Sequence, residues 1–184
     1  KTGIAGAAVL PFLKSIPALA SKTNTLVVVT GQTINSLDLH RKGTNRPSYQ
    51  VAVNCYDRLL SFGTKEAQGG GYSYDYSKIE PELAESWEVS DDGLLITFKI
   101  KKNATFWDGS KVTADDVKWS FDRAVSVGGF PSVQMKAGGL VRPDQFAAID
   151  AETFTIKLDK PSKLTIPDLA VPVPFIINST VAKA

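Results

Sequence analysis

The chain has 184 residues, 43% of them hydrophobic and 22% charged, enough for one packed domain or part of a larger protein. Its 21 basic and 19 acidic residues leave a net charge of +2, too even a balance to hold a phosphate backbone, so nucleic acid is excluded as the main partner. Cys55 is the only cysteine and His40 the only histidine, which rules out an internal disulfide and a cluster of histidine metal ligands within this chain.

Residues 4–13 form an apolar run, followed by Pro17-Ala18-Leu19-Ala20, an A-x-A-type cleavage site. The run is too short to span a bilayer, so residues 1–20 read as the remnant of a signal peptide whose charged start lies upstream. Because no cysteine directly follows it, a lipoprotein anchor is not expected and a periplasmic location is. The path of export, by the general or the twin-arginine route, stays open.

Leu26-Val27-Val28-Val29 is a continuous β-branched run, the pattern of a strand buried on both faces. A polar connection over 32–45 leads to Pro47, which suits a first helical turn after a cap at Thr44 or Asn45. Tyr49, Val53, Tyr56 and Leu60 recur at helical spacing and predict a helix over 47–60, with Cys55 in it as a small buried side chain. Residues 63–77 read as a loop containing Gly69-Gly70-Gly71 and three alternating tyrosines. Those rings could bind a sugar or peptide or pack the loop down on itself.

Trp87-Glu88-Val89, the turn Ser90-Asp91-Asp92-Gly93 and the alternating strand 94–101 predict a β-hairpin. Phe106-Trp107 reads as a short strand or bend closed by Asp108-Gly109. Thr113-Ala114-Asp115-Asp116 has the form of a capping box, and Val117, Phe121, Ala124 and Val125 then make one apolar stripe, so a helix runs to Gly128-Gly129. A second hairpin follows, with 146–149 and the alternation Phe154-Ile156-Leu158 around a turn at 150–152. Residues 161–184 are rich in Pro, Ile and Val. Strands mixed with helices give an α/β or α+β class.

Little here is reactive. Glu80, Glu82, Glu85 and Glu88 straddle a coil-to-strand boundary with no fixed pair geometry and read as a solvated edge. His40 reads as a surface or loop histidine. Trp87, Trp107 and Trp119 read as packing residues. The glycine triplet lacks the Lys-Ser/Thr of a phosphate loop. No cofactor and no enzymatic centre are expected.

Several blocks of the chain resemble the family 5 (dipeptide/oligopeptide/nickel-type) extracellular solute-binding proteins of ABC transporters. The most specific block runs from Pro81 to Arg123, from Pro-Glu-Leu-Ala-Glu-Ser-Trp-Glu-Val-Ser-Asp-Asp-Gly to Asp-Gly-Ser-Lys-Val-Thr-Ala-Asp-Asp-Val-Lys-Trp-Ser-Phe-Asp-Arg. Ser36-Leu37-Asp38 is similar to an early family segment, with Leu39 where proline is usual. Tyr56-Asp57-Arg58-Leu59-Leu60 resembles a helix end, and 150–158 a later hairpin.

The resemblance implies a two-lobed receptor of the type II periplasmic binding protein kind. In it, residues 21–184 would form an incomplete first lobe with its additional subdomain, the second lobe lying elsewhere. It further implies reversible capture of a peptide or similar small solute by a monomer and delivery to an ABC permease in the inner membrane. The implied ligand-facing positions are Gln32, Thr33 and Ile34 in the turn after the opening strand, Tyr49 at a helix start, and Phe130 in the loop after Gly128-Gly129. Two other readings stay open: a ligand-binding module of a sensor or regulator, and an exported hydrolase whose catalytic part lies outside this chain.

Overall fold

The computed structural model describes residue 29 and residues 31–183. The expected signal segment lies outside the described residues, as does the expected strand over 26–29 apart from Val29. Residues 32–184 cluster as one unit, to which everything below belongs.

The unit is built around a four-stranded antiparallel sheet in the order β3-β4-β6-β5. Strands β3 (Ala84–Val89) and β4 (Leu95–Ile100) form the first predicted hairpin, and β5 (Phe146–Asp150) and β6 (Thr153–Lys157) the second. The hairpins join through β4 and β6, where Ile96 faces Ile156 and Phe98 faces Phe154. Alternation of Ile96, Phe98 and Ile100 with polar residues turns one face of β4 inward. Helix α2 (Ala114–Ser126) lies on that face through Val117, Phe121, Ala124 and Val125. The Phe121 ring meets Phe146 and Phe154 edge-on at 5.3 and 5.2 Å. Phe98, Phe121 and Phe154 are wholly buried, each contributing roughly 1.5–3 kcal/mol of transfer free energy.

Helix α1 (Arg46–Ala52) starts where expected, capped by Asn45, but ends after two turns rather than at Leu60. Arg58 and Leu59 then enter an extended segment, pinned when Leu83 N donates to the Arg58 carbonyl and Glu82 N to that of Leu59. Cys55 therefore lies in an exposed turn and not in a buried helix face. The family-like block ending at Leu60 is likewise not a helix end but the way into a strand.

The expected loop over 63–77 is instead a hairpin of β1 (Leu60–Glu66) and β2 (Tyr72–Pro81). Gly69, Gly70 and Gly71 all have positive φ and make its turn, with Ala67 N donating to the Gly71 carbonyl. Tyr74 and Tyr76 gather around Phe62 on this hairpin, while Tyr72 and Tyr76 stay largely open to solvent.

The other unforeseen helix is α3 (Phe130–Ala137), which begins directly after the glycine pair. Gly128 and Gly129 (φ 73° and 69°) do stop α2, and Gly129 is also the cap of α3. A Cβ on Gly129 would stand 3.1 Å from Lys42 Cγ, so the backbone needs glycine both for its conformation and for that approach. Short helices α4 (Thr165–Asp168) and α5 (Ser179–Lys183) interrupt the Pro-rich tail. Trp87 packs against the core, whereas Trp107 is 92% exposed and holds nothing together. No described helix is long and apolar enough to cross a membrane.

Candidate functional site

Three polar side chains fix the approach to α1. Asn45 Oδ1 accepts from Ser48 Oγ at 2.7 Å, and Asn35 Oδ1 accepts from Asn45 N at 3.0 Å. Asn45 Nδ2 donates to the Thr33 carbonyl at 2.8 Å. The segment holding Thr33 is thereby tied to the start of the helix that carries Tyr49. These bonds satisfy helix-end groups that would otherwise be orphaned.

Tyr49 is held at both ends. Its hydroxyl donates to the Leu39 carbonyl at 3.2 Å, and burial together with the Asp38 charge pushes its pKa above the usual tyrosine range, so it stays a donor. Its ring meets Phe130 edge-on, centroids 5.5 Å apart at 81°. Phe130 is set by the junction of α2 and α3, where Ser132 Oγ accepts from Gly128 N at 2.8 Å and bonds back to the carbonyls of Ala124 and Val125.

Behind them lies the 38–40 segment. Arg123 grips the Asp38 carboxylate with two hydrogen bonds of 2.7 and 2.6 Å. Partial burial works to raise the Asp38 pKa, but the Arg123 hydrogen bonds and charge outweigh it, so the carboxyl sits below its ordinary value. His40 is not a surface residue: it is wholly buried against the Phe175 ring, 4.4 Å away. Its Nε2 lies 3.0 Å from the Val173 carbonyl and so carries the proton, leaving Nδ1 buried without a partner. Burial, reinforced by the Arg123 charge, lowers its pKa to about 4.

Around the Tyr49–Phe130 contact opens a cleft of about 360 Å³, lined by Thr44, Arg46, Tyr49, Phe130, Gln134, Pro172 and Val173. Two expected ligand-facing residues, Tyr49 and Phe130, thus meet in one wall although 81 positions separate them in the sequence. Gln32, Thr33 and Ile34 do not line this cleft. Thr33 is tied to the start of α1 through Asn45, and Ile34 is exposed.

Arg46, Gln134 and Val173 were not foreseen. Arg46 lies one turn before Tyr49 and Gln134 one turn after Phe130, spacing that puts each pair on one helix face. The first could have been read from α1, the second only with α3 recognised. No trio of His, Cys, Asp or Glu side chains that could hold a metal occurs among the described residues. The cleft offers shape, aromatic surface and hydrogen bonds.

The expected solvated edge of glutamates is broken by Glu82. It pairs with the buried Arg58 through two bonds of 2.9 Å, while Arg58 also donates to the Ala170 carbonyl. Burial opposes the Arg58 charge, yet Glu82 raises its pKa above normal, so the ion pair is a clamp between β-structure and the tail.

Residues 78–184 match the family model described as "Bacterial extracellular solute-binding proteins, family 5 Middle". Among curated proteins, the chain is 33% identical over 135 residues to the probable D,D-dipeptide-binding periplasmic protein DdpA of Escherichia coli K12, covering 73% of this chain and 24% of that protein. It is 30% identical over 181 residues to the glutathione-binding protein GsiB of Shigella flexneri, covering 98% and 32%. Among solved structures, the Escherichia coli murein tripeptide binding protein MppA superposes with a TM-score of 0.63 at 26% identity, over 82% of this chain and 30% of that one. The binding protein AgaA from A. tumefaciens R10, in complex with agropinic acid, gives 0.64 at 30% identity, over 82% and 28%. The chain therefore spans between a quarter and a third of the length of these relatives.

Proposed function

The chain belongs to the family 5 bacterial extracellular solute-binding proteins, and from that premise we propose that it supplies one wall of the ligand cleft in the binding subunit of an ABC importer. The ligand is a peptide or similar small polar solute, captured reversibly in the periplasm and handed to a permease in the inner membrane. Residues 21–184 form an incomplete first lobe with its subdomain, and a second lobe closes over the ligand. The ligands for which the relatives are named, a D,D-dipeptide, glutathione and a murein tripeptide, support this ligand class.

The observation that carries the reading is the Tyr49–Phe130 contact. Two half-exposed aromatics from separate helices, each locked from behind, make a preformed apolar wall of the kind small-ligand sites use. The titratable groups behind Tyr49 are otherwise engaged: Asp38 is gripped by Arg123, and His40 is buried and neutral. These arrangements support binding without turnover.

The test is calorimetric titration of the full-length protein with di- and tripeptides. Saturable binding is expected, weakened about tenfold or more by Tyr49→Ala or Phe130→Ala, each of which removes an aromatic wall. No new amino groups should accumulate on long incubation. Peptide cleavage by the pure protein would defeat the proposal.

A further inference from the structure

The charge pattern of the cleft narrows the ligand class. Arg46 is the only ionic side chain in its lining, is exposed, and has no ion pair or side-chain hydrogen bond among the described residues. Asp38, in the segment behind Tyr49, is taken by both arms of Arg123 and does not line the cleft. A second cation, Lys42, lies against Gly128 and Gly129, immediately before Phe130, and makes no ion pair among the described residues either. The carboxylate behind Gln134, that of Asp168, accepts the Gln134 amide N–H at 3.3 Å and does not itself line the cleft. Among the described residues, the lining of the cleft therefore carries one unpaired cation, Arg46, beside the Tyr49–Phe130 aromatic wall.

We propose that Arg46 receives a carboxylate of the bound solute, so that the cleft selects ligands joining an anionic group to an apolar side chain. This rests on the binding-protein reading above and sharpens it. A guanidinium presents a planar fork of donors that matches a carboxylate through two parallel bonds, which a lysine cannot reproduce. The aromatic pair takes the neighbouring apolar group, and Gln134, its amide N–H held by Asp168, offers its carbonyl oxygen to a ligand N–H.

Three pools of di- and tripeptides test this on the full-length protein by thermal shift. The first has free C-terminal carboxylates and only neutral side chains, the second is the same set as C-terminal amides, and the third is amidated but contains glutamate. The free-acid pool should raise the Tm saturably, and the neutral amide pool should need at least about tenfold higher concentration, the value of a charge-assisted bond. Arg46→Gln should bring the acid pool down to the amide level with unchanged unliganded Tm, and Arg46→Lys should keep part of the preference. Equal binding of the third pool, lost in Arg46→Gln, supports the inference with a side-chain carboxylate as a second source. Undiminished acid preference in Arg46→Gln overturns it and leaves the proposed function standing. No shift with any pool overturns both.

Discussion

Between about pH 6.5 and pH 4 the unfolded chain takes up a proton at His40 that the folded chain refuses. The folded ring is closed off from water and lies near the Arg123 charge, and these outweigh the Val173 hydrogen bond and the Asp38 charge, both of which favour the protonated ring. Its pKa of about 4 lies below the unfolded value of 6.5. The associated stability is thus complete above about pH 6.5 and is lost as pH falls toward 4, by up to about 3 kcal/mol. His40→Gln keeps a donor for Val173 but has nothing to titrate. Urea denaturation should show the wild-type midpoint falling from pH 7 to pH 5 more steeply than the variant midpoint, and parallel curves would refute the assignment. Arg58 invites a second measurement. Glu82→Ala strands a buried guanidinium and should cost about 3 kcal/mol in the same assay, far more than Glu85→Ala at an exposed neighbour. Neither residue betrays this role locally. His40 meets a carbonyl 133 positions away and Arg58 a carboxylate 24 positions away, distances over which a local pattern carries no signal.

Helix α2 shows what local pattern can carry. Thr113 and Asp116 exchange the reciprocal bonds of a capping box, and the apolar stripe behind them meets the sheet as its spacing requires. Asp116 does more than cap, because its other oxygen accepts Ser179 N at 2.9 Å and anchors α5. Thr113→Ala should therefore cost about 1 kcal/mol, and Asp116→Ala about 2–3 kcal/mol, measured by chemical denaturation. Equal losses would mean that the tie to Ser179 contributes nothing. Both hairpins of the main sheet were legible for the same reason, strict alternation around turn residues. The elements that were missed share a cause of another kind. The glycine triplet at 69–71 breaks the pattern where it in fact turns a hairpin, and Gly128-Gly129 ends one helix while opening the next. Helix α1 ends at Ala52, and beyond the turn that follows, Arg58 is held by its pair with Glu82, a tertiary contact that helical spacing does not reveal.

At the scale of the whole molecule, the signature from Pro81 to Arg123 spans the end of β2, the first hairpin and most of α2, whose Arg123 holds Asp38. That much, and two of the cleft residues, could be read before any coordinates. The polar anchor expected at Gln32, Thr33 and Ile34 could not be placed, because the turn that holds it is fixed by Asn35, Asn45 and Ser48 rather than by its own sequence. The cleft is open on one side, and a small ligand resting there would keep much of its surface in water. Useful affinity requires most of that surface to be buried, since the lost translational freedom must be offset by contacts. On the proposed two-lobed reading the missing contacts come from a second lobe, and this chain spans only about a quarter to a third of the relatives' length. Residues 32–184 produced alone should therefore show no saturable thermal shift with the free-acid peptide pool at millimolar concentration, while the full-length protein shifts at far lower concentration. The same comparison by small-angle scattering should show contraction on ligand addition in the full-length protein only. If the isolated segment bound the pool as tightly as the full-length protein, the cleft would be a complete site, and closure by a second lobe would have no part in recognition.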